Sequence, residues 1–369
     1  MWRQIFALIV KELLAILKDG KSRAVLIGPP LLQLLVFGYA ATFDLNSVPI
    51  AIYNQDYSAA SRDLVAHFVG SPSFQKVADL HSRRQIAPLI DSHGATLVLV
   101  IDRNFTRDLL RGQAAPVQLI VDGRNSNTAV LILNYANTII GDFSLAWIAN
   151  HGGHPPPAVL QPRAWYNPAM SSRWFIVPGI VALLTQVVTL LVVGLSVARE
   201  REAGTFDQLL MTPMHQVDIL LGKGLPGLLI GTLEASAIIL AAVLWFQVPL
   251  RGSLPALYLG ILLFAIAVTG IGLAISSLAV TQQQALLGVF LFMVPSIILS
   301  GFATPIANMP AAVQDLTLLN PMRYFLIVVR SVFLEDASLS SLFPQYWPMA
   351  VIGVVSLATA GWLFRKRVY

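Results

Sequence analysis

The chain has 369 residues, 56% hydrophobic and 12% charged, with a mean hydropathy of +0.70. Soluble domains carry about 25% charged residues, so this composition excludes a single water-soluble globule and predicts a membrane protein. The net charge of +5 comes with no Lys/Arg stripe interleaved with aromatics, which excludes a nucleic-acid face, and the lack of cysteine excludes a disulfide framework or a Cys-based metal site.

Residues 2–18 set Trp2, Ile5, Phe6, Ile9, Leu13, Ile16 and Leu17 at helical spacing, with Arg3, Lys11 and Lys18 on another face. The pattern predicts a helix in the membrane interface, its cations toward anionic headgroups. The opening residues lack a signal-peptide layout, so the first apolar segment is expected to remain as an anchor. That segment, residues 24–43, is long enough to cross a hydrocarbon layer of about 30 Å. Pro29 and Pro30 sit inside it and should break its backbone ladder locally.

Residues 44–171 change character, with nine Lys/Arg balanced by nine Asp. Strand-like runs at 48–54, 95–101 and 117–121 alternate with helix-like runs at 59–69, 83–91 and 105–110, which predicts a small α/β domain. A longer helical stretch over 128–148 follows, ending near His151 and His154. Two histidines without a carboxylate cluster make a poor metal site, so no metal ligands are assigned. Further spans are predicted at 172–198, 224–248, 254–280, 285–302 and 347–364. Residues 303–345, interrupted by Pro305, Pro310 and Pro321, predict interfacial or re-entrant helices.

Six spans place both termini on one side. That side carries eleven Lys/Arg, at positions 3, 11, 18, 21, 23, 199, 201, 223, 365, 366 and 367, against four on the other, at 173, 251, 323 and 330. The bias predicts cytoplasmic termini, an extracytoplasmic 44–171 domain and a cytoplasmic 199–223 segment.

Within that segment, residues 199–213 read as a charged, capped helix. Thr205 and Gln208 have capping-box spacing, Phe206, Leu209 and Leu210 share a face, and Pro213 ends the run. Gly222, Gly224 and Gly227 spell a Gly-x-Gly-x-x-Gly, but without the preceding strand that a dinucleotide site needs. Gly20-Lys21-Ser22 looks like the end of a phosphate loop, yet position 15 is alanine where the first glycine would stand. No cofactor site is therefore expected in this chain. Glu234 lies near the middle of the third span, where a charge costs roughly 2.5–3.5 kcal/mol on insertion scales and should face a partner or a wet cavity. Gln33 and Gln186, in the first two spans, are the candidate partners of Glu234 in a translocation pathway. No set of nucleophile, base and orienting group is apparent, so no catalytic residue is assigned.

Residues 199–213, Arg-Glu-Arg-Glu-Ala-Gly-Thr-Phe-Asp-Gln-Leu-Leu-Met-Thr-Pro, with Leu-Leu-Gly-Lys at 220–223, resemble the loop signature of ABC-2 type permeases. These are the membrane subunits of bacterial ATP-binding-cassette exporters, and the multidrug-export type looks closest. Ser300-Gly-Phe-Ala-Thr-Pro305, Met309-Pro310, Asn320-Pro321, Tyr324 and Val329-Arg330 resemble the family's stretch between its last two spans. The resemblance covers nearly the whole chain. It implies an all-α polytopic membrane bundle, a six-helix type V exporter-like fold with an inserted periplasmic α/β domain, in the inner membrane. It also implies a coupling helix made of Glu200, Arg201, Glu202, Gly204, Thr205, Phe206, Asp207, Gln208, Leu209, Leu210, Thr212 and Pro213, with residues 1–23 as a connecting helix beside it. The implied partners are a separate ABC ATPase dimer that binds ATP and Mg, a second permease copy or sister chain, membrane lipids and a periplasmic adaptor. The cargo would be an amphiphilic drug or lipid-like molecule. On the residues alone, a gradient-driven carrier using Glu234 and a membrane-anchored binding or sensor protein stay open.

Overall fold

The computed structural model describes residues 2–39, 47–151, 165–168, 171–206, 208, 211–212 and 214–368. The chain divides into two compact units, one made of Met1–Thr42 with Ala164–Tyr369 and the other of Phe43–Arg163.

The Phe43–Arg163 unit is built on a four-stranded sheet in the order β2-β1-β3-β4, with β1 at Val48–Asn54, β2 at Phe74–Asp79, β3 at Leu97–Ile101 and β4 at Val117–Val121. β1 runs parallel to β2 and β3, while β4 is antiparallel to β3, with Ile50 opposite Leu97 and Leu97 opposite Val121. Both faces are covered. Ile50, Ile52, Leu97, Leu99 and Ile101 point one way, against Leu64 and Phe68 of the Ala59–Val69 helix. Ala51 and Val98 point the other way, against Leu80, Ile86 and Ala95. The near-continuous apolar sequence of β3 is what a strand buried on both sides requires. Three of the four strands match the sequence expectation. β2 does not appear in it, because Phe-Gln-Lys-Val-Ala-Asp is an edge strand with only Phe74 buried.

The Ser126–Asn150 helix belongs to this unit. Its length and apolarity are sufficient for a span, but Ile132, Ala136 and Phe143 are buried in the core shared with the sheet. Asn134, Asn137, Thr138 and Asp142 form its exposed face.

The other unit is helical. In chain order its principal helices, numbered here for this unit, are α1 (Trp2–Lys18), α2 (Gly20–Tyr39), α3 (Ser172–Glu202), α4 (Gln216–Leu244), α5 (Leu254–Leu278), α6 (Gln282–Ile298), α7 (Ala311–Leu316), α8 (Pro321–Leu334) and α9 (Phe343–Val368). Among the described residues of the whole chain, five helices are long and apolar enough to cross a membrane, the Ser126–Asn150 helix among them. The number is six if the pair Ala311–Leu319 and Pro321–Leu334, bent by 82°, forms one broken span. α2 stays helical through Pro29 and Pro30.

α3 is the most enclosed of these helices and packs against α2, α4, α5, α6 and α8. Small residues permit the approach. A Cβ on Gly227 would meet Val193 at 2.1 Å and one on Gly231 would meet Thr189 Oγ1 at 2.2 Å, so α4 lies on α3 through a small-xxx-small edge. On the other side of the bundle, Phe264 of α5 stacks on Phe325 of α8 with ring centroids 4.4 Å apart. Asn320 caps α8 by accepting from the Met322 N–H, and its amide donates to the Ser296 carbonyl at 2.6 Å.

Candidate functional site

The charged stretch at 199–213 is not one element. Residues up to Glu202 complete α3, which ends in a Schellman turn. The Gly204 N–H donates to the Arg201 carbonyl, the Thr205 N–H donates to the Glu200 carbonyl, and Gly204 takes φ +70°. Residues 216–223, expected to belong with the loop, form the first two turns of α4. Asp207, Leu209, Leu210 and Pro213 lie outside the described residues. The Thr205 hydroxyl donates to the Glu200 carbonyl at 3.4 Å. Phe206 is buried against Phe364, Val197 and Ile219, with its ring edge-on to Phe364 at 5.8 Å. Gln208, Met211 and Thr212 are exposed, Met211 at 88%.

Three successive charges at the end of α3 each reach a different neighbour. Glu200 Oε1 accepts from Lys11 Nζ of α1 at 2.5 Å and lies 3.3 Å from Lys223 Nζ of α4. The Arg201 guanidinium donates to the carbonyls of Ser277 and Ala279, at 2.9 and 3.2 Å, covering the open C-terminus of α5. It also lies over the Phe206 ring, 4.9 Å from the centroid. Glu202 accepts from the Gln282 N–H at 2.8 Å, placing a carboxylate at the N-terminus of α6. A run that looks solvated in the sequence thus ties α1, α4, α5 and α6 to the foot of α3.

At the centre of this junction Lys223 is fully buried. Its ammonium donates to Glu12 Oε1 at 2.9 Å and to the Ser196 carbonyl at 3.2 Å. Glu12, Glu200 and Lys223 are buried, and the exposed Lys11 brings the four charges to zero. α1 packs on the bundle along one stripe, Ile5, Leu8, Glu12 and Ile16, and Lys11 pairs with Glu200 while Phe6, Leu14 and Leu17 stay exposed. Leu8 packs so closely on α4 that a Cβ on Gly222 would meet it at 2.3 Å. The glycines of the Gly-x-Gly-x-x-Gly therefore serve packing. Gly222 admits Leu8, Gly224 faces Thr269 and Leu273, and Gly227 admits Val193.

Glu12 and Lys223 were missed as a pair. The available signal was one acid on the apolar stripe of residues 2–18 and one base inside the apolar run of α4.

The pathway residues do not come together. The Ser296 hydroxyl donates to Asn320 Oδ1 at 2.8 Å and lies 3.4 Å from Gln186 Oε1. Among the described residues, Glu234 has no hydrogen-bond partner on either carboxylate oxygen, and Gln33 has none on its carbonyl oxygen. The expected Glu234–Gln33–Gln186 group is thus replaced by a Gln186–Ser296–Asn320 network and a separate Glu234. His151 stacks on Trp147 with centroids 3.7 Å apart, and His154 lies outside the described residues.

This arrangement is suited to holding helices together at one end and has the geometry of a mechanical junction. Comparison with known proteins gives the family. A family model described as ABC-2 family transporter protein matches residues 24–362. The chain belongs to this family. It is 40% identical, over the full length of both chains, to the probable multidrug ABC transporter permease YbhR of Escherichia coli K12. It is 34% identical to the probable multidrug ABC transporter permease YbhS of the same strain, with 90% of this chain and 89% of that one covered. It is 30% identical to the inner membrane transport permease YhhJ of that strain, covering 99% and 98%. The chain is accordingly a permease component of an ABC transporter, a non-catalytic subunit.

Proposed function

We propose that the permease moves an amphiphilic drug or lipid-like substrate out of the cytoplasm or inner membrane, driven by ATP hydrolysed on a separate ATPase subunit. The observation that carries this reading is the Lys11–Glu200–Lys223–Glu12 cluster. It binds α1, the end of α3 and the start of α4 into one body, and the loop between α3 and α4 presents exposed Gln208, Met211 and Thr212 beside it. An ATPase docked on that loop would push three helices at once rather than bend one. Such a push can shift a two-state bundle only through contacts that differ between the states, and a rigid junction passes them on.

In this reading the spans are α2, α3, α4, α5, α6 and α9, both termini are cytoplasmic, and the bent pair around Asn320 is re-entrant. The sheet unit is extracytoplasmic, where an adaptor could meet it. A second copy or a sister permease completes the transporter. The Ser126–Asn150 helix is left out of the span count because its outer face carries Asn134, Asn137, Thr138 and Asp142.

The test is to purify the affinity-tagged chain from its native membranes and count subunits by native mass spectrometry. Two permease chains with two ATPase subunits are expected. Met211→Asp, on an exposed side chain, should leave the permease folded but strip off the ATPase and abolish export. A wild-type permease that brings no nucleotide-hydrolysing subunit, or a Met211→Asp complex that keeps its ATPase and exports normally, would sink the reading.

A further inference from the structure

Glu234 is the carboxylate that the junction does not use. It lies about five turns into α4, well inside a helix of membrane-spanning length. It lines an open-sided pocket of about 390 Å³ between α2, α3, α4 and the end of α1, within the range of small-molecule sites, roughly 300–1,000 Å³. The walls are almost wholly aliphatic, with Leu26, Pro30, Leu31 and Ile230 among them. Pro30 has no N–H, so the Leu26 carbonyl on the same ridge lacks its helical donor. Arg23 is the other charged residue in the lining. It is exposed, at the first turn of α2, and it does not hydrogen-bond to Glu234.

A carboxylate at that depth is normally offset by a partner, and the described residues supply none within hydrogen-bonding distance. A cationic occupant would supply the missing partner. The walls suit a greasy occupant, and the carboxylate suits a positive one. We propose that the pocket binds lipophilic organic cations, with the Glu234 carboxylate as their counter-ion. This names a substrate class for the export reading and rests on it for its physiological sense. The binding step itself needs no ATPase.

The experiment is equilibrium binding of radiolabelled tetraphenylphosphonium to the purified full-length permease in lipid nanodiscs, without nucleotide or ATPase. Glu234→Gln should weaken binding by about tenfold or more, and Glu234→Asp should retain most of it. Ala237→Trp keeps the carboxylate but fills the pocket from the next turn, and should also weaken binding. The isosteric anion tetraphenylborate should bind more weakly than the cation, and Glu234→Gln should leave its binding unchanged or strengthen it. Unchanged tetraphenylphosphonium affinity in Glu234→Gln overturns the proposal, as does tetraphenylborate binding that Glu234→Gln weakens. Export measured with the complete transporter separates the two readings. Cation binding through Glu234 without ATP-driven export would defeat the export reading and leave the site standing. Export of the cation that ignores Glu234→Gln would defeat the site and leave the export reading standing.

Discussion

Glu200 and Glu234 are two acids in one helical unit, and they are treated in opposite ways. Glu200 ends α3 with Lys11 and Lys223 on one carboxylate oxygen, and Lys223 passes on to Glu12. Glu234 lies mid-helix with neither oxygen hydrogen-bonded. Buried charges that are matched inside the subunit hold its parts in register, whereas one left unmatched is free to meet something from outside. The same unit thus holds a structural acid and an available one, and the distinction lies in what packs beside each.

The strongest way to break this contrast is to remove the shared cation. Lys223→Met leaves Glu12 and Glu200 buried without their common ammonium, and breaking a buried pair by deleting one partner is destabilising by about 3–5 kcal/mol. A large fall in the apparent Tm of the detergent-purified permease is expected, or loss of the folded protein from membranes. Lys223→Met combined with Glu12→Gln removes one of the stranded charges and should recover part of the loss. Equal behaviour of the single and double variants would show that the cluster acts as separate surface pairs.

The next effect is smaller and opposite in sign. Glu234→Leu removes a buried polar group that has no partner, and an unsatisfied group of this kind costs about 1–3 kcal/mol. The apparent Tm of the ligand-free permease should rise. A fall of the size seen for Lys223→Met would mean that Glu234 has an internal partner after all, and the contrast with Glu200 would disappear.

Much of this architecture was legible in the sequence. The apolar runs mark the membrane helices because few residue choices satisfy a bilayer, and the alternating pattern over 48–121 marks three strands of the sheet. What escaped was decided by neighbours distant in sequence. Lys11 looks like a headgroup contact until Glu200 stands beside it, 189 positions away. The Arg-Glu-Arg-Glu run looks like a solvated face because its partners, Lys223, Ser277, Ala279 and Gln282, come from later helices. β2 was invisible for a local reason, since an edge strand with one buried residue has almost no hydrophobic period. Gln186 drew attention as a polar residue in a span, but its partner is a serine in α6 rather than the nearest acid along the pathway.

The weakest version of the paired acid is in the sheet unit, at the surface. Asp122 accepts from Arg124 through both carboxylate oxygens, at 2.7–3.0 Å, and from the Arg124 backbone N–H at 3.1 Å. Arg124 also donates to the Ile90 carbonyl at 2.7 Å, so the pair pins the turn after β4 to the end of the Ile86–Asp91 helix. The side-chain hydrogen bond from Arg124, more than any other contact, holds the Asp122 carboxyl down at about 2. The ordinary aspartate value is about 3.9. A lowered carboxyl contributes stability that is fully present above the ordinary value and is lost as pH falls through the lowered one. Amide exchange at residues 122–125, compared with Asp122→Asn at each pH, should therefore show a protection difference at pH 5 that fades between about pH 4 and about 2. This effect is the smallest of the three, because solvent already screens the pair. A difference that survives unchanged to pH 2 would mean that the turn is held by its backbone alone, and that pairing an acid in this protein matters only where water is excluded.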